Sequence, residues 1–251
     1  MYKNTQPSPR DRRSPDILSQ LEKQYGRHHF LRQTWQEVVT LFHLSSWRSS
    51  LTLKHWFKRS LDFAGALFFL MLLTPLFLVT ALAILIEDGR PIFYNQTRVT
   101  RGGKLFKMFK FRSMFNNADE IKKTLQSDET TGSVIFKMKN DPRITRSGKI
   151  IRKLSIDELP QLWNVLIGEL SLVGPRPPLP DEVAEYTPKD VKRLSVTPGL
   201  TCIWQVSGRS DIDFENQVLM DIDYIKKRSP LTDIKLLLKT IPAVLSGKGA
   251  Y

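Results

Sequence analysis

FAGALFFLMLLTPLFLVTALAILI, residues Phe63 to Ile86, runs for 24 residues without a charge. At about 1.5 Å per residue, a helix of this length reaches across the ~30 Å hydrocarbon core of a bilayer. Pro75 interrupts it near the middle. The ring removes a backbone donor and clashes with the carbonyl four residues back, so a kink is expected there. Thr74 stands beside it with a hydroxyl able to bond a freed carbonyl. Cations flank the run on both sides: Lys54, Lys58 and Arg59 before it, Arg90, Arg98, Arg101 and Lys104 after it. Positive residues normally mark one side of a span, the cytoplasmic one. Two readings follow: a spanning helix that tolerates its proline, or a helix bent at Thr74-Pro75 that enters and leaves by the same leaflet.

The whole chain has 251 residues and a net charge of +13. Residues 1–61 carry 11 Lys/Arg against 4 Asp/Glu, and residues 87–251 carry 27 against 20, so the excess lies on both sides of the apolar run. Such a chain is drawn to anionic headgroups and anionic substrates, with nucleic acid as the competing partner. Cys202 is the one cysteine, which excludes an intramolecular disulfide and fits a reducing compartment. No cleavable signal peptide is apparent, because the apolar run starts too late and is too long for one.

Residues 1–20 combine prolines, serines and RDRR and read as a disordered arm. Apolar positions from Leu21 to His43 predict one or two helices, and WRSSLTLKHWFKR (47–59) mixes tryptophan with cations as interfacial segments do. Beyond the apolar run, residues 91–94 and 105–112 read as strands joined by a turn at TRGGK (100–104). Phe106, Met108 and Lys110 fall on one face of the second strand, and Lys107, Phe109 and Phe111 on the other. Helices are predicted over 117–126 and 146–153, with a β-prone SVIFKM (133–138) between them. Two amphipathic helices close the chain. One carries Phe214, Val218, Ile222 and Ile225 on a face, the other Leu231, Ile234, Leu238, Ile241 and Leu245, with Pro230 as its first residue.

The chemistry concentrates in IRKLSIDELPQLWN (151–164). Leu159, Leu162, Trp163 and Leu166 form a helical stripe. Ser155 and Glu158 match a capping box and Pro160 suits a first turn, so a helix is expected to start near Ile156 or Asp157. That start places Asp157 and Glu158 at a helix N-terminus, where the dipole favours anions. The same two residues in a plain structural role would only cap the helix. LVGPRPPLP (172–180) then holds Arg176 between prolines, and TPGLTCIWQVSGRS (197–210) holds Arg209 in a loop with two glycines and a tryptophan. Stiff settings of this kind suit arginines that must meet a phosphate with a pre-positioned fork. Neither loop carries a phosphate-loop or dinucleotide pattern. All four histidines lie at or before position 55, so a metal in the second half would take oxygen ligands, as Mg²⁺ with phosphate does.

KRSLDFAGALFFLMLLTPLFL (58–78), KFRSM (110–114), IRKLSIDELPQLWNVLIGELSLVGPRP (151–177) and the PGLT…WQVSGR loop together resemble the bacterial sugar transferase family. These are the monotopic polyprenol-phosphate phosphoglycosyl transferases that start exopolysaccharide, O-antigen and glycoprotein glycans. The resemblance covers roughly residues 55–248 in order, and the chain looks like a short member with a basic extension. It implies an α+β fold, mainly helical with a small β element, built on an N-terminal re-entrant membrane helix and surface amphipathic helices. It divides the chain into a basic extension over 1–54, the re-entrant helix over 55–90 and a catalytic domain over 91–251. It implies Asp157 as nucleophile and Mg²⁺ ligand, Glu158 as its catalytic neighbour, and Lys110, Arg152, Arg176 and Arg209 as phosphate-binding residues. The family's Ser-Pro break falls on Thr74-Pro75, a departure that keeps the hydroxyl. Cys202-Ile203-Trp204-Gln205 also departs from the family's usual Gly-Trp-Ala-Gln or Gly-Leu-Trp-Gln.

The implied partners are a UDP-sugar, a polyprenol phosphate and membrane lipid, with no nucleic acid and with a homo-oligomer left open. The implied location is the bacterial inner membrane, with the catalytic domain on the cytoplasmic face. Two other classes compete: a membrane-tethered nucleic-acid binder, which would need no acidic pair, and an inactive scaffold for polysaccharide assembly.

Overall fold

Pro75 bends the apolar run. In the computed structural model, which describes residues 53, 55–118, 141–208 and 211–246, helix α1 (His55–Leu72) and helix α2 (Thr74–Asp88) diverge by 60°. Leu73 lies between them and Pro75 occupies the first turn of α2, where a missing N–H goes unnoticed. The Thr74 hydroxyl donates to the Leu70 carbonyl at 2.8 Å. Among the described residues no single helix is long and apolar enough to cross a membrane, whereas the bent pair is so when taken together. The readings made over residues 1–52, most of 117–126 and all of 133–138 fall outside the described residues. The chain divides into two compact units, Met1–Phe57 and Lys58–Tyr251, and the second is the one built up below.

Each half of the bent pair buries a narrow stripe and leaves the rest bare. Ala66, Leu70 and Leu73 pack into a core with Phe106, Met108, Leu162, Val165 and Leu172. Phe77, Ala81 and Ile84 pack into a second core with Phe111 and Ile151. Phe68, Met71, Leu72, Leu78, Val79, Leu82 and Ile86 are exposed, between 57% and 76%. A contiguous apolar surface of this kind marks an interaction or membrane site on a protein. Lys58 ties the first half to the domain: its Nζ lies 2.8 Å from Asp62 and 2.7 Å from Asp233. Asp62 in turn accepts from the Ser171 hydroxyl (2.8 Å) and the Leu172 N–H (3.2 Å), so its buried carboxylate is satisfied.

β1 (Phe93–Val99) and β2 (Leu105–Phe111) form an antiparallel hairpin about the predicted turn, β1 starting later and running further than the expected 91–94, in a register that sets Tyr94 opposite Lys110 and Arg98 opposite Phe106. Gly102 and Gly103 turn the chain with φ of 72° and 81°, values that favour glycine. Phe106 and Met108 are buried on one face of β2, and Phe111, read onto the other face, is buried as well. Helix α3 (Arg146–Lys153) is also as predicted; Thr145 caps it by accepting from the Gly148 N–H at 2.9 Å.

The next segment corrects the sequence reading. Residues Ile156–Glu158 form a single 3₁₀ turn, and the α-helix proper, α4, spans Gln161–Ile167 behind Pro160. The expected capping box does not form. An N-cap needs extended backbone, but Ser155 sits in the left-handed region at φ 53°, so its hydroxyl caps nothing. The Glu158 carboxylate turns to Lys110 instead. The predicted stripe also breaks at Trp163, which is exposed while Leu162 is buried.

β3 (Ser171–Val173) begins the stiff proline segment, and a short helix α5 (Pro180–Ala184) follows it. β4 (Gly199–Thr201) then pairs with β3 in parallel. This second, parallel sheet lies within a segment whose sequence predicts a loop. Gly199 makes the pairing: a Cβ there would lie 2.0 Å from the Gly174 nitrogen, so a side chain would force the two segments apart. The two arginine-bearing loops are thereby held side by side. Helix α6 (Phe214–Lys227) buries Val218, Asp221 and Tyr224. Helix α7 (Pro230–Ser246) buries Asp233 and Leu236, and its predicted stripe of Leu231, Ile234, Leu238, Ile241 and Leu245 faces outward.

Candidate active site

A cleft of about 400 Å³ opens where β2, the Ile156–Glu158 turn, β4 and α7 meet. Lys110 reaches into it from the last part of β2. Its Nζ donates to Glu158 Oε1 at 2.9 Å and lies 4.0 Å from Asp157 Oδ2. The left-handed Ser155 aims the turn: it reverses the chain after α3 so that two consecutive carboxylates face the strand. Arg152, at the end of α3, and Arg176, exposed between buried prolines, line the same cleft. The structure thus brings Lys110, Arg152, Asp157, Glu158 and Arg176 together in one cleft. Arg209 lies outside the described residues.

The two carboxylates titrate apart. Burial and then the neighbouring Glu158 charge push Asp157 up to about 6, against the pull of Lys110 and Arg152. Burial pushes Glu158 up as well, but the Lys110 charge and hydrogen bond outweigh it and hold Glu158 below the usual carboxylate range. Asp157 is therefore the more basic of the pair and, near neutral pH, still ionised. This replaces the helix-dipole argument, since no α-helix begins at the dyad. Two carboxylates whose environments separate them in this way take different chemical roles.

Three further residues were not singled out from the sequence. Arg98 is buried at 5% exposure and lines the cleft. It donates to the Pro177 carbonyl (3.2 Å) and to Gln96 (2.9 Å), while its Nε has no protein partner. Burial, and then Arg176, draw it down to about 10, which leaves it a cation at neutral pH. In the sequence it reads as a flanking charge of the apolar run, whereas its register opposite Phe106 puts it on the inner face of the hairpin. Trp204 supports Arg176, whose guanidinium carbon lies 5.8 Å from the ring centroid. Gln161 lines the cleft with a buried Nε2 that lacks a partner.

Among the described residues no group of three or more His, Cys, Asp or Glu is placed to cage a metal ion. The carboxylates lining the cleft are Asp157 and Glu158. A donor set this small suits Mg²⁺, which keeps waters and shares one or two carboxylates with substrate phosphates. Four cations, Arg98, Lys110, Arg152 and Arg176, surround the pair. A lining of four cations and two carboxylates suits a polyanion, since guanidinium and ammonium groups make charge-assisted bonds to phosphate.

Comparison with known proteins gives the same direction. The family model described as bacterial sugar transferase matches residues 53–247. Galactosyl transferase CpsE of Streptococcus agalactiae is 46% identical over 196 residues, covering 77% of this chain and 43% of that protein. Undecaprenyl-phosphate galactose phosphotransferase of Salmonella typhimurium is 43% identical over 198 residues, 77% of this chain and 41% of its own length. The exopolysaccharide production protein ExoY of Rhizobium meliloti is 40% identical over 198 residues, with 77% of this chain aligned to 88% of ExoY. The alignment thus spans under half of the first two relatives and nearly all of the third.

Proposed function

Because this chain belongs to the bacterial sugar transferase family, we propose that it transfers a phosphosugar from a UDP-sugar to a polyprenol phosphate, as a first step of exopolysaccharide or related glycan synthesis. The observation that carries this reading is the Asp157–Glu158 pair facing Lys110 in a cleft ringed by arginines. An Asp157 oxygen attacks the phosphorus that bears the sugar. The bond from that phosphorus to the bridging oxygen breaks, and UMP leaves with the oxygen and its electron pair. The phosphosugar is then held as an acyl phosphate on Asp157. An oxygen of the polyprenol phosphate attacks the same phosphorus, the bond to Asp157 breaks, and the carboxylate is restored. Because the acceptor is already an anion, it needs no base, which leaves the nucleophile as the better use of Asp157.

Lys110 holds Glu158 and keeps the pair in register, and Arg98, Arg152 and Arg176 spread the diphosphate charge. Arg209 is assigned to the same phosphates on its loop position. Asp157 would hold Mg²⁺, which when bound withdraws charge from the diphosphate. The bent α1–α2 pair supports a re-entrant membrane element, with both halves packed on one domain and their outer faces apolar. That arrangement keeps the cleft at the cytoplasmic surface of the inner membrane, where a dissolved donor and a lipid acceptor meet. Labelled UDP-galactose or UDP-glucose, incubated without acceptor, should leave label on the peptide containing Asp157, with UMP released. Asp157→Asn should abolish both. Intersecting initial-rate lines, with no UMP before acceptor is added, would overturn the covalent route.

A further inference from the structure

Resting on the transferase reading above, the geometry points to α7 as the wall along which the acceptor's polyprenyl chain runs from the cleft to the lipid. α7 packs against β3, β4 and the turn at Trp204–Val206, whereas the dyad turn packs against β2 and α3. The cleft therefore has a cationic wall and, apart from it, an α7 wall made of Leu237, Thr240, Ala243 and Val244. Leu237, Thr240 and Val244 are spaced i, i+3, i+7 and so share one helix face. The Thr240 hydroxyl is occupied, being paired with Thr201 at 2.9 Å and donating to the Leu236 carbonyl at 2.8 Å.

The adjoining face carries the outward row. Ile234 is 52% exposed, Leu238 62%, Ile241 57% and Leu245 70%. Ile241 stands four residues from Leu237 and three from Val244, so the exposed row adjoins the cleft wall on the helix surface. A phosphate ester with a long hydrocarbon tail matches both parts. Its phosphate meets Arg98, Lys110, Arg152 and Arg176, and its first isoprene units leave over Leu237 and Val244 past Ile241. A soluble diphosphate donor has no use for that path, because nothing in it is apolar and long.

The test separates the two halves of the reaction in detergent micelles, using undecaprenyl phosphate and a two-isoprene prenyl phosphate as acceptors. Val244→Glu places a charge on the path inside the cleft. Ile241→Glu does so at an exposed position where folding is not at issue. Each should raise the KM for undecaprenyl phosphate by about tenfold or more, as expected for a charge set against hydrocarbon. The penalty should shrink for the short acceptor, and in Ile241→Glu, which lies outside the cleft lining, the UMP burst without acceptor should keep its amplitude. An unchanged KM for undecaprenyl phosphate in both variants overturns the path. So does an equal loss with long and short acceptors. A wild-type protein that forms no lipid-linked product overturns the transferase reading and this path with it.

Discussion

Asn164 holds the strand that carries Lys110. Its Oδ1 accepts from the Phe109 N–H at 3.1 Å, and its Nδ2 donates to the Lys107 carbonyl at 2.8 Å. The side chain is fully buried. One residue of α4 thus satisfies two backbone groups of β2 that have no strand beyond them, and it fixes the hairpin against the helix. Lys110, one residue further on, arrives opposite Glu158 as a result.

Asn164→Ala removes both bonds, together with the one from Nδ2 to Glu169 Oε2 at 2.7 Å, and leaves an N–H and a carbonyl of β2 without partners. A loss of about 2–4 kcal/mol is expected from two unsatisfied groups in a low-dielectric setting. The fall in melting temperature of the purified protein checks it. An unchanged melting point would mean that β2 is held by the hairpin alone.

Asp157→Asn should stabilise the metal-free protein above pH 6. Folding raises Asp157 from 3.8 to about 6, so the folded protein takes up a proton between those values. The cost of an ionised, buried Asp157 is in force above the folded pKa and disappears below the unfolded one. It amounts to about 1–3 kcal/mol, taking 1.36 kcal/mol per unit as an upper conversion. The variant should therefore melt higher than wild type at pH 8, and the two should converge below pH 4. Added Mg²⁺ should raise the wild-type melting point more than that of the variant. A variant that melts lower at every pH would show that Asp157 supports the fold instead.

Arg176→Ala and Arg209→Ala should cut turnover while leaving expression and membrane attachment intact. Contacts between a guanidinium and phosphate are worth roughly 1.5–3 kcal/mol, or about one to two orders of magnitude in rate. Arg176→Lys should recover only part of the loss, since an ammonium cannot offer a planar fork to phosphate. Wild-type rates in both alanine variants across substrate concentrations would remove these residues from the site.

What the sequence disclosed follows from where each determinant lies. The bend at Thr74-Pro75, the turn at Gly102-Gly103 and the helix over 146–153 depend on neighbouring residues, and local chemistry is visible in a string of letters. The parallel pairing of β3 with β4 is not local. Each strand is three residues long, and the deciding contact joins Gly174 to Gly199. Ser155 misled because SIDE has the form of a capping box, while its left-handed backbone is fixed by what surrounds it. Arg98 was hidden for a related reason. Only the register of the hairpin shows that this charge turns inward. Asp157 and Glu158 do line the cleft, but what separates their electrostatics is burial and Lys110, not a helix dipole.

The feet of the bent helix pair should lie on the same side of the membrane. Arg59, near the start of α1, donates to the carbonyls of Val165 and Leu166 at the end of α4. Arg112, buried just after β2, donates to the carbonyls of Asp88 (3.1 Å) and Gly89 (2.8 Å) and pairs with the Asp88 carboxylate at 3.1 Å. Both guanidiniums thus join a foot of the pair to the same domain, and both occupy helix C-termini, where cations are favoured. Carrying one foot across a bilayer would strip these bonds and leave charged groups in hydrocarbon, each at a cost of several kcal/mol. Cysteines introduced as His55→Cys and Arg90→Cys should therefore react with a membrane-impermeant maleimide from the same face. In intact cells neither should label, and both should label once the inner membrane is opened. The native Cys202 is buried and should stay silent in either case. Labelling of the two sites from opposite faces would show a spanning helix, and would place the proline bend inside a single crossing.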